Sequence, residues 1–384
     1  MPRYNPILDE LAVYHQQKSE ERKQKVREAG IQLLDFSVGD PKEPVPEFIR
    51  NALKDAVPPN CRYPSVAGKR SVREAMAGYV QRRFAVDLDP DQHVLPLSGA
   101  KEGVFHIPQL VIDPKAEDRV VLYPDPGYPV CHRGALFAGG VPVAIPLSGD
   151  YIFRPWELED DLLRKCRLLW INSPHNPSGA VMSLEDLERT AELCRNHDIL
   201  LVSDECYADI YSVDAEAPHS ILECGLDNVL ALFSLSKRSG MTGYRSGFIA
   251  GDASVIAQFK KYRSNPGVVP QSFVNAAAEL AWSEDSHVEE RRRIFSEKKE
   301  LFIRFFDSIG WEIIGKEASL YLWIKLPEGS SSAEWTDRLL SKGVVVSSGD
   351  MFALTEAGDG YLRIAMVPSL EECRRAIQIW NQLL

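Results

Sequence analysis

Five short apolar runs, at residues 120–122, 141–145, 168–171, 199–202 and 229–233, alternate with longer amphipathic stretches through the middle of the chain. Runs spaced this way are too far apart for hairpins. They call for crossover connections, and so for an α/β fold with a mainly parallel sheet covered by helices on both faces. The stretch 184–196 reads as one of those helices, with Ser183 placed as its N-cap and Asp186 at the third position. In an open parallel sheet, ligands bind beyond the carboxyl ends of the strands. The residues that follow each run are therefore the ones to inspect.

One run leads into Asn172-Ser173-Pro174-His175-Asn176-Pro177-Ser178-Gly179, and the next into Ser203-Asp204-Glu205-Cys206-Tyr207. Others lead into Ser234-Leu235-Ser236-Lys237 and Tyr123-Pro124-Asp125-Pro126-Gly127-Tyr128. Four strand ends thus deliver an amide, a carboxylate, two hydroxyls with an amine, and an aromatic ring towards one edge. A lone lysine after a strand is ordinarily a solvated loop residue. Lys237 differs, because Ser234 and Ser236 precede it and Arg245 follows it, with Gly240, Gly243 and Gly247 letting the backbone approach a ligand. Hydroxyls with a guanidinium suit a phosphate dianion, and a lysine beside such a clamp is a Schiff-base candidate. Asp204 follows four apolar residues and is expected to be buried, either as a cap or ion pair, or as the partner of a protonated ring nitrogen. Tyr207 can reach the same ligand. Asn176 is either a simple turn residue or a donor to a phenolic oxygen, and Tyr128 is either core or a ring-stacking aromatic. Ser98-Gly99-Ala100-Lys101 opens a helix whose free N–H groups can bind phosphate, and Pro108 is expected to kink that helix.

Composition narrows the class. A chain of 384 residues suits two domains or one large domain with a lobe. With 44 basic and 55 acidic residues the net charge is −11, which argues against nucleic acid as the main partner. The 7 cysteines contain no C-x-x-C pair, and the 8 histidines show no metal-ligand spacing. Reduced thiols in a cytoplasmic protein, with no zinc site, are expected. No apolar signal core follows Met1 and no run is long enough to span a bilayer. Neither G-x-G-x-x-G nor G-x-x-x-x-G-K-[ST] occurs. A polar helix is expected near residues 19–28, then the proline-punctuated segment 40–46. Further on, a long charged helix at 286–309 and strand-like runs at 321–326, 344–347 and 361–367 describe a second, smaller α/β lobe. The expected division is a large ligand-binding domain at 46–285, and a small domain made of 1–45 with 286–384.

With these residues in place, the chain resembles the class I/II aminotransferases of the fold-type I pyridoxal-phosphate (PLP) enzymes. The resemblance runs from about Asp35 to Gln378 and centres on Ser234-Leu235-Ser236-Lys237 with Gly243-Tyr244-Arg245-Ser246-Gly247. It implies that Lys237 carries the cofactor as a Schiff base and moves the substrate proton, and that Asp204 partners the pyridinium nitrogen. Tyr207 and Asn176 would donate to the phenolic oxygen, and Tyr128 would stack on the ring. Gly99, Ala100, Lys101, Ser234, Ser236 and Arg245 would form the phosphate cup. Tyr63 is similar to the tyrosine that reaches the neighbouring subunit's phosphate, which implies a homodimer with shared active sites. Gly39, in Phe36-Ser37-Val38-Gly39-Asp40-Pro41, and Arg363, in Tyr361-Leu362-Arg363-Ile364, match the closing loop and the arginine that clamp the substrate carboxylate.

Three strings, Gly39-Asp40-Pro41-Lys42-Glu43-Pro44, Ser203-Asp204-Glu205-Cys206-Tyr207 and Ser236-Lys237-Arg238-Ser239, are similar to N-succinyldiaminopimelate aminotransferases of lysine biosynthesis. LL-diaminopimelate and aspartate aminotransferases resemble the chain somewhat less. Ser347-Ser348-Gly349-Asp350 departs from the Pro-Gly pair frequent before the closing loop and bears on the substrate side. The resemblance implies ping-pong transamination between an L-amino acid, glutamate in the first place, and a keto acid. A distal substrate carboxylate would need a further arginine, for which Arg22, Arg263 and Arg338 are unranked candidates. A PLP-dependent carbon–sulfur lyase shares the same site. An aminotransferase-like ligand sensor is the non-enzyme alternative, disfavoured because only about 35 residues precede the first motif.

Overall fold

The computed structural model describes residues 2–11, 15–60 and 62–384. Cys61 lies outside the described residues, and the other six cysteines are unpaired thiols. The strands are β1 (Leu34–Asp35), β2 (Val94–Leu97), β3 (Val120–Asp125), β4 (Val141–Pro146), β5 (Cys166–Asn172), β6 (Leu200–Asp204), β7 (Val229–Ser234), β8 (Gly247–Gly251), β9 (Ile313–Ile314), β10 (Tyr321–Lys325), β11 (Val344–Val345), β12 (Ser347–Ser348) and β13 (Tyr361–Ala365). A seven-stranded sheet runs in the order β2-β8-β7-β6-β5-β3-β4. Its strands β3 to β7 are mutually parallel where they pair, and β8 lies antiparallel to both β7 and β2.

Alternation along the central strands sends side chains to opposite faces. Leu169, Ile171, Leu201, Ala231 and Phe233 join one buried cluster with Val72, Met76 and Val80 of helix Arg70–Phe84 and Trp282 of helix Ser272–Ser283. Leu168, Trp170, Leu200, Val202 and Leu230 join another with Val104, Ile256 and Phe259 on the far side. Burial on both faces explains why the runs read as continuously apolar. Helix Leu184–Asn196 begins with the expected capping box, in which Asp186 N donates to Ser183 Oγ at 3.1 Å. Pro108 breaks the helix after Gly99 into Ala100–His106 and Pro108–Val111, as a residue without an N–H must.

A second sheet, ordered β12-β13-β10-β9, is antiparallel and packs on helix Ser286–Ser308. Phe295, Phe302, Phe306, Trp335 and Trp380 fill its core together with Leu34 and Phe36 from the beginning of the chain. The apolar run 344–347 splits in two. Its first half, β11, pairs in parallel with β1, and its second half, β12, pairs with β13. Behind β1, buried Lys23 bonds Asp35 at 2.9 Å, and Asp35 accepts from Ser37 N at 2.9 Å. Further along, Lys298 forms an ion pair with Glu43 inside the proline-rich segment. Among the described residues no helix is long and apolar enough to cross a membrane.

Two of the three unranked arginines sit at the surface: Arg22 pairs with Asp337, and Arg338 bonds the Leu383 carbonyl. Arg263 is fully buried against Glu102, with Nε at 2.6 Å from Oε1, and it also donates to the Pro96 carbonyl at 2.8 Å. Glu102 in turn accepts from Ser98 N at 2.6 Å. Burial pushes the Glu102 carboxyl above its ordinary range despite the Arg263 cation. Arg263 therefore anchors the turn after β2 and is not placed to greet a substrate. Arg263→Met strands a buried carboxylate and should cost about 3–5 kcal/mol of unfolding free energy in urea titrations. A loss under about 1 kcal/mol would show that the pair is no anchor.

Candidate active site

Because β8 reverses direction between β7 and β2, the carboxyl ends of β2, β3, β5, β6 and β7 share one edge with the amino end of β8. Residues 98–101, 125–128, 172–176, 204–207 and 234–237 therefore meet, and Arg245 arrives there ahead of its strand. Gly99 takes a φ of 82°, and a side chain there would put Cβ 2.5 Å from Arg245 Nη2. At Gly247 a Cβ would lie 2.4 Å from the Phe233 carbonyl, 3.3 Å from Ala100 N and 3.4 Å from Ser234 Cα. Two glycines thus let the backbone of residues 99–100, the Ser234 turn and the Arg245 guanidinium close into one cradle. Arg245 is exposed, with Nη1 donating to the Thr242 carbonyl at 3.0 Å, and it borders a groove of about 470 Å³ shared with Ser98, Tyr244 and Phe273. Ser234 Oγ accepts from Ser236 N at 3.2 Å. Lys101 is exposed on the first turn of the following helix.

Lys237 lies in the short helical turn Leu235–Arg238, and its Nζ donates to the Gly39 carbonyl. That contact joins residues 198 positions apart in the chain. Asp204 ends β6 opposite Asn172 at the end of β5. The Asn172 amide donates to the Asp204 carbonyl at 2.6 Å and accepts from Asn176 N at 2.7 Å, which fixes the Asn176 turn beside the carboxylate. Burial pushes the Asp204 carboxyl above its ordinary range, and hydrogen bonds from Cys206, including its N–H at 3.1 Å, only partly counter it. Buried His175 stays neutral, its pKa pulled to about 4 by burial. It spans the turn between Ser178 Oγ at 2.7 Å and the Pro126 carbonyl at 3.1 Å.

Arg363 reaches the same place from β13. Its Nη1 donates to Asn176 Oδ1 at 2.9 Å, and its Nη2 donates to the Ser37 carbonyl at 2.8 Å. The guanidinium lies between two rings, 4.0 Å from the Tyr321 centroid and 4.1 Å from that of Phe352. Buried Nε has no hydrogen-bond partner among the described residues. Tyr207 and Tyr321 approach hydroxyl to hydroxyl at 3.2 Å. Phe352 is held in place by Asp125, whose carboxylate accepts from Leu354 N at 2.8 Å and from Thr355 N at 2.9 Å. Tyr128 is half-buried after β3 and packs on the apolar cluster beneath. Tyr63 stands fully exposed, outside this group.

The structure thus brings together Gly39, Gly99, Ala100, Asn176, Asp204, Tyr207, Ser234, Lys237, Arg245 and Arg363. Sequence reasoning missed Asn172, His175, Tyr321, Phe352 and the holding role of Asp125. Only their positions after apolar runs could have flagged Asn172, His175 and Asp125. The residues fit a phosphorylated, protonated heteroaromatic cofactor. The glycine-lined cradle at Arg245 suits a dianion, the desolvated Asp204 carboxylate gains from a cationic N–H, and Lys237 lies on the turn between them.

Comparison with known proteins identifies the family. Residues 31–379 match the family described as aminotransferase class I and II. An LL-diaminopimelate aminotransferase from Aquifex aeolicus is 36% identical, over 98% of this chain and 97% of its own length. Among solved structures, an aminotransferase from Neisseria meningitidis has a TM-score of 0.90 at 30% identity, covering 99% of this chain and 100% of its own. A probable N-succinyldiaminopimelate aminotransferase from Thermus thermophilus has a TM-score of 0.88 at 28% identity, covering 95% and 98%. The chain belongs to the class I and II aminotransferases, enzymes that use pyridoxal 5′-phosphate to exchange amino and keto groups.

Proposed function

We propose that this enzyme is an LL-diaminopimelate aminotransferase exchanging its amino group with the 2-oxoglutarate–glutamate pair, in lysine biosynthesis. The likeness of three short strings to N-succinyldiaminopimelate aminotransferases gives way to a relative that is 36% identical along nearly the whole chain, against 28% for the succinyl-type structure. The observation that carries the catalytic reading is one edge of one sheet holding Lys237, Asp204, Tyr207, Asn176 and Arg245, with Arg363 bonded to Asn176 across from it.

In this reading the cofactor is held by the cradle of Gly99, Ala100, Lys101, Ser234, Ser236 and Arg245, by Asp204 at its ring nitrogen, by Tyr207 and Asn176 at its phenolic oxygen, and by Tyr128 at its face. Bound PLP supplies an electron sink for the charge left when the substrate Cα loses its proton. The Lys237 amine would take that proton and return it two atoms away, on the far side of the transferred nitrogen, as a base placed by the rigid turn after β7. Asp204 keeps the ring nitrogen protonated, because a desolvated carboxylate is stabilised by a cation beside it. Arg363 takes the substrate α-carboxylate with its planar pair of N–H groups, and Gly39 lines the loop above. We further propose a cytoplasmic homodimer in which Tyr63, fully exposed on one chain, completes the phosphate cradle of its partner beside the groove at Arg245.

The test is a substrate panel with purified protein. LL-diaminopimelate with 2-oxoglutarate should turn over at least about tenfold more efficiently than glutamate with the succinylated ketopimelate, a difference of about 1.4 kcal/mol in transition-state binding. The reverse ranking would sink the substrate assignment and leave the aminotransferase intact. Lys237→Ala should bind PLP without the covalent link that borohydride reduction fixes in the wild type, and lose about 10²–10⁴-fold in turnover. Normal turnover in that variant would remove Lys237 from the reaction. Arg363→Met should raise KM for carboxylate substrates about 10–100-fold, the worth of a lost charged hydrogen-bond pair, and an unchanged KM would move the carboxylate site elsewhere.

A further inference from the structure

Tyr321 is one of the residues in this site that no motif pointed to. It sits at the start of β10 opposite Ala365, and only 4% of it is exposed. Its ring centroid lies 4.0 Å from the Arg363 guanidinium carbon, and its hydroxyl lies 3.2 Å from that of Tyr207. The two rings cross at 64° with centroids 5.5 Å apart. The same hydroxyl occupies the space that a side chain at Gly39 would need, 2.0 Å from the position of a Cβ there. Gly39 in turn accepts from Lys237. One phenol therefore touches the carboxylate clamp, the tyrosine beside the cofactor, and the loop that the lysine holds. A phenylalanine would fill the same apolar space, so packing does not account for the hydroxyl.

We propose that Tyr321 is a positioning residue that passes the state of the clamp at Arg363 to Tyr207, and through Tyr207 to the phenolic oxygen of the bound cofactor. The inference rests on the reading of the site given above. The groups facing Tyr321 are Arg363 on β13, Lys237 on the turn after β7, and Tyr207 and Cys206 after β6. Burial alone would raise the Tyr321 phenol, but the Arg363 and Lys237 cations and the hydrogen bond with Tyr207 bring it below its ordinary value. Tyr207, facing Tyr321, Asp204 and Cys206, is pushed well above its own value, first by burial. With the clamp empty, Tyr321 is the more acidic phenol and donates to Tyr207, whose own O–H is left to point towards the cofactor. A substrate carboxylate on Arg363 neutralises the nearer cation, and Tyr321 becomes the weaker donor and the better acceptor. The Tyr207 O–H can then turn from the cofactor to the Tyr321 oxygen, so the hold on the phenolic oxygen weakens. No bond other than hydrogen bonds changes, and no proton leaves the pair.

The experiment is a pH titration of the visible band of the PLP-loaded enzyme, with and without adipate, a dicarboxylate that carries no amine to react. In the wild type, adipate should move the transition. In Tyr321→Phe the transition should start at least about half a pH unit away from the wild-type value, and its response to adipate should fall by half or more. Tyr207→Phe should likewise lose the response, since it removes the other end of the bridge. Profiles of Tyr321→Phe that overlay the wild type in both conditions overturn the proposal. A full adipate response in Tyr207→Phe overturns the route through Tyr207, and this holds even where Tyr321→Phe does not fold. A wild type that takes up no PLP, or a Lys237→Ala variant that still carries PLP covalently after borohydride reduction, overturns the site assignment and the proposal with it.

Discussion

A guanidinium buried between two aromatic rings sets the terms for much of this molecule. Leaving a cation without solvent is costly unless it is matched, and Arg363 finds its partners on four separate parts of the chain. Asn176 comes from the turn after β5, Ser37 from the segment after β1, and the rings of Tyr321 and Phe352 from β10 and the loop that follows β12. Three of those partners are themselves held from behind. Asn172 and His175 fix the Asn176 turn, Lys23 and Asp35 fix Ser37, and Asp125 fixes the loop carrying Phe352. The two sheets thus meet around one charge, and among the described residues the Nε of Arg363 has no hydrogen-bond partner.

The strands that the sequence reveals are those buried on both faces, because a continuous apolar run between helix-length stretches is hard to bury except inside a sheet covered on both sides. β2 and β8 escaped notice for opposite reasons. β2 is four residues long and contains Pro96, and β8 is bounded by Gly247 and Gly251. Missing β8 hides why Arg245 joins the site at all, since it precedes its strand where the other groups follow theirs. Here the serine, lysine and glycine spacing carried the assignment that strand order could not.

The aromatic residues of the small sheet were illegible for a different reason. Nothing in Tyr321-Leu322-Trp323 distinguishes a core strand from a site wall, and its relation to Tyr207 depends on contacts across 114 residues. Asn172 is similar: its amide matters because β5 and β6 are in register at Asp204, and register is a property of the pair. Arg263 shows the converse, a residue that looks available in sequence and is wholly committed to Glu102 in the fold.

The space shared by Gly39 and Tyr321 has a consequence for how this site can change over generations. Even a methyl group at position 39 would overlap the phenol, with the Tyr321 Oη only 2.0 Å from its carbon. Loop and strand lie 282 residues apart in the chain, yet neither position is free to drift alone. A lineage that enlarges residue 39 has to shrink residue 321 first. The order of the two steps is thereby fixed, and the intermediate form would carry an open gap beside Lys237.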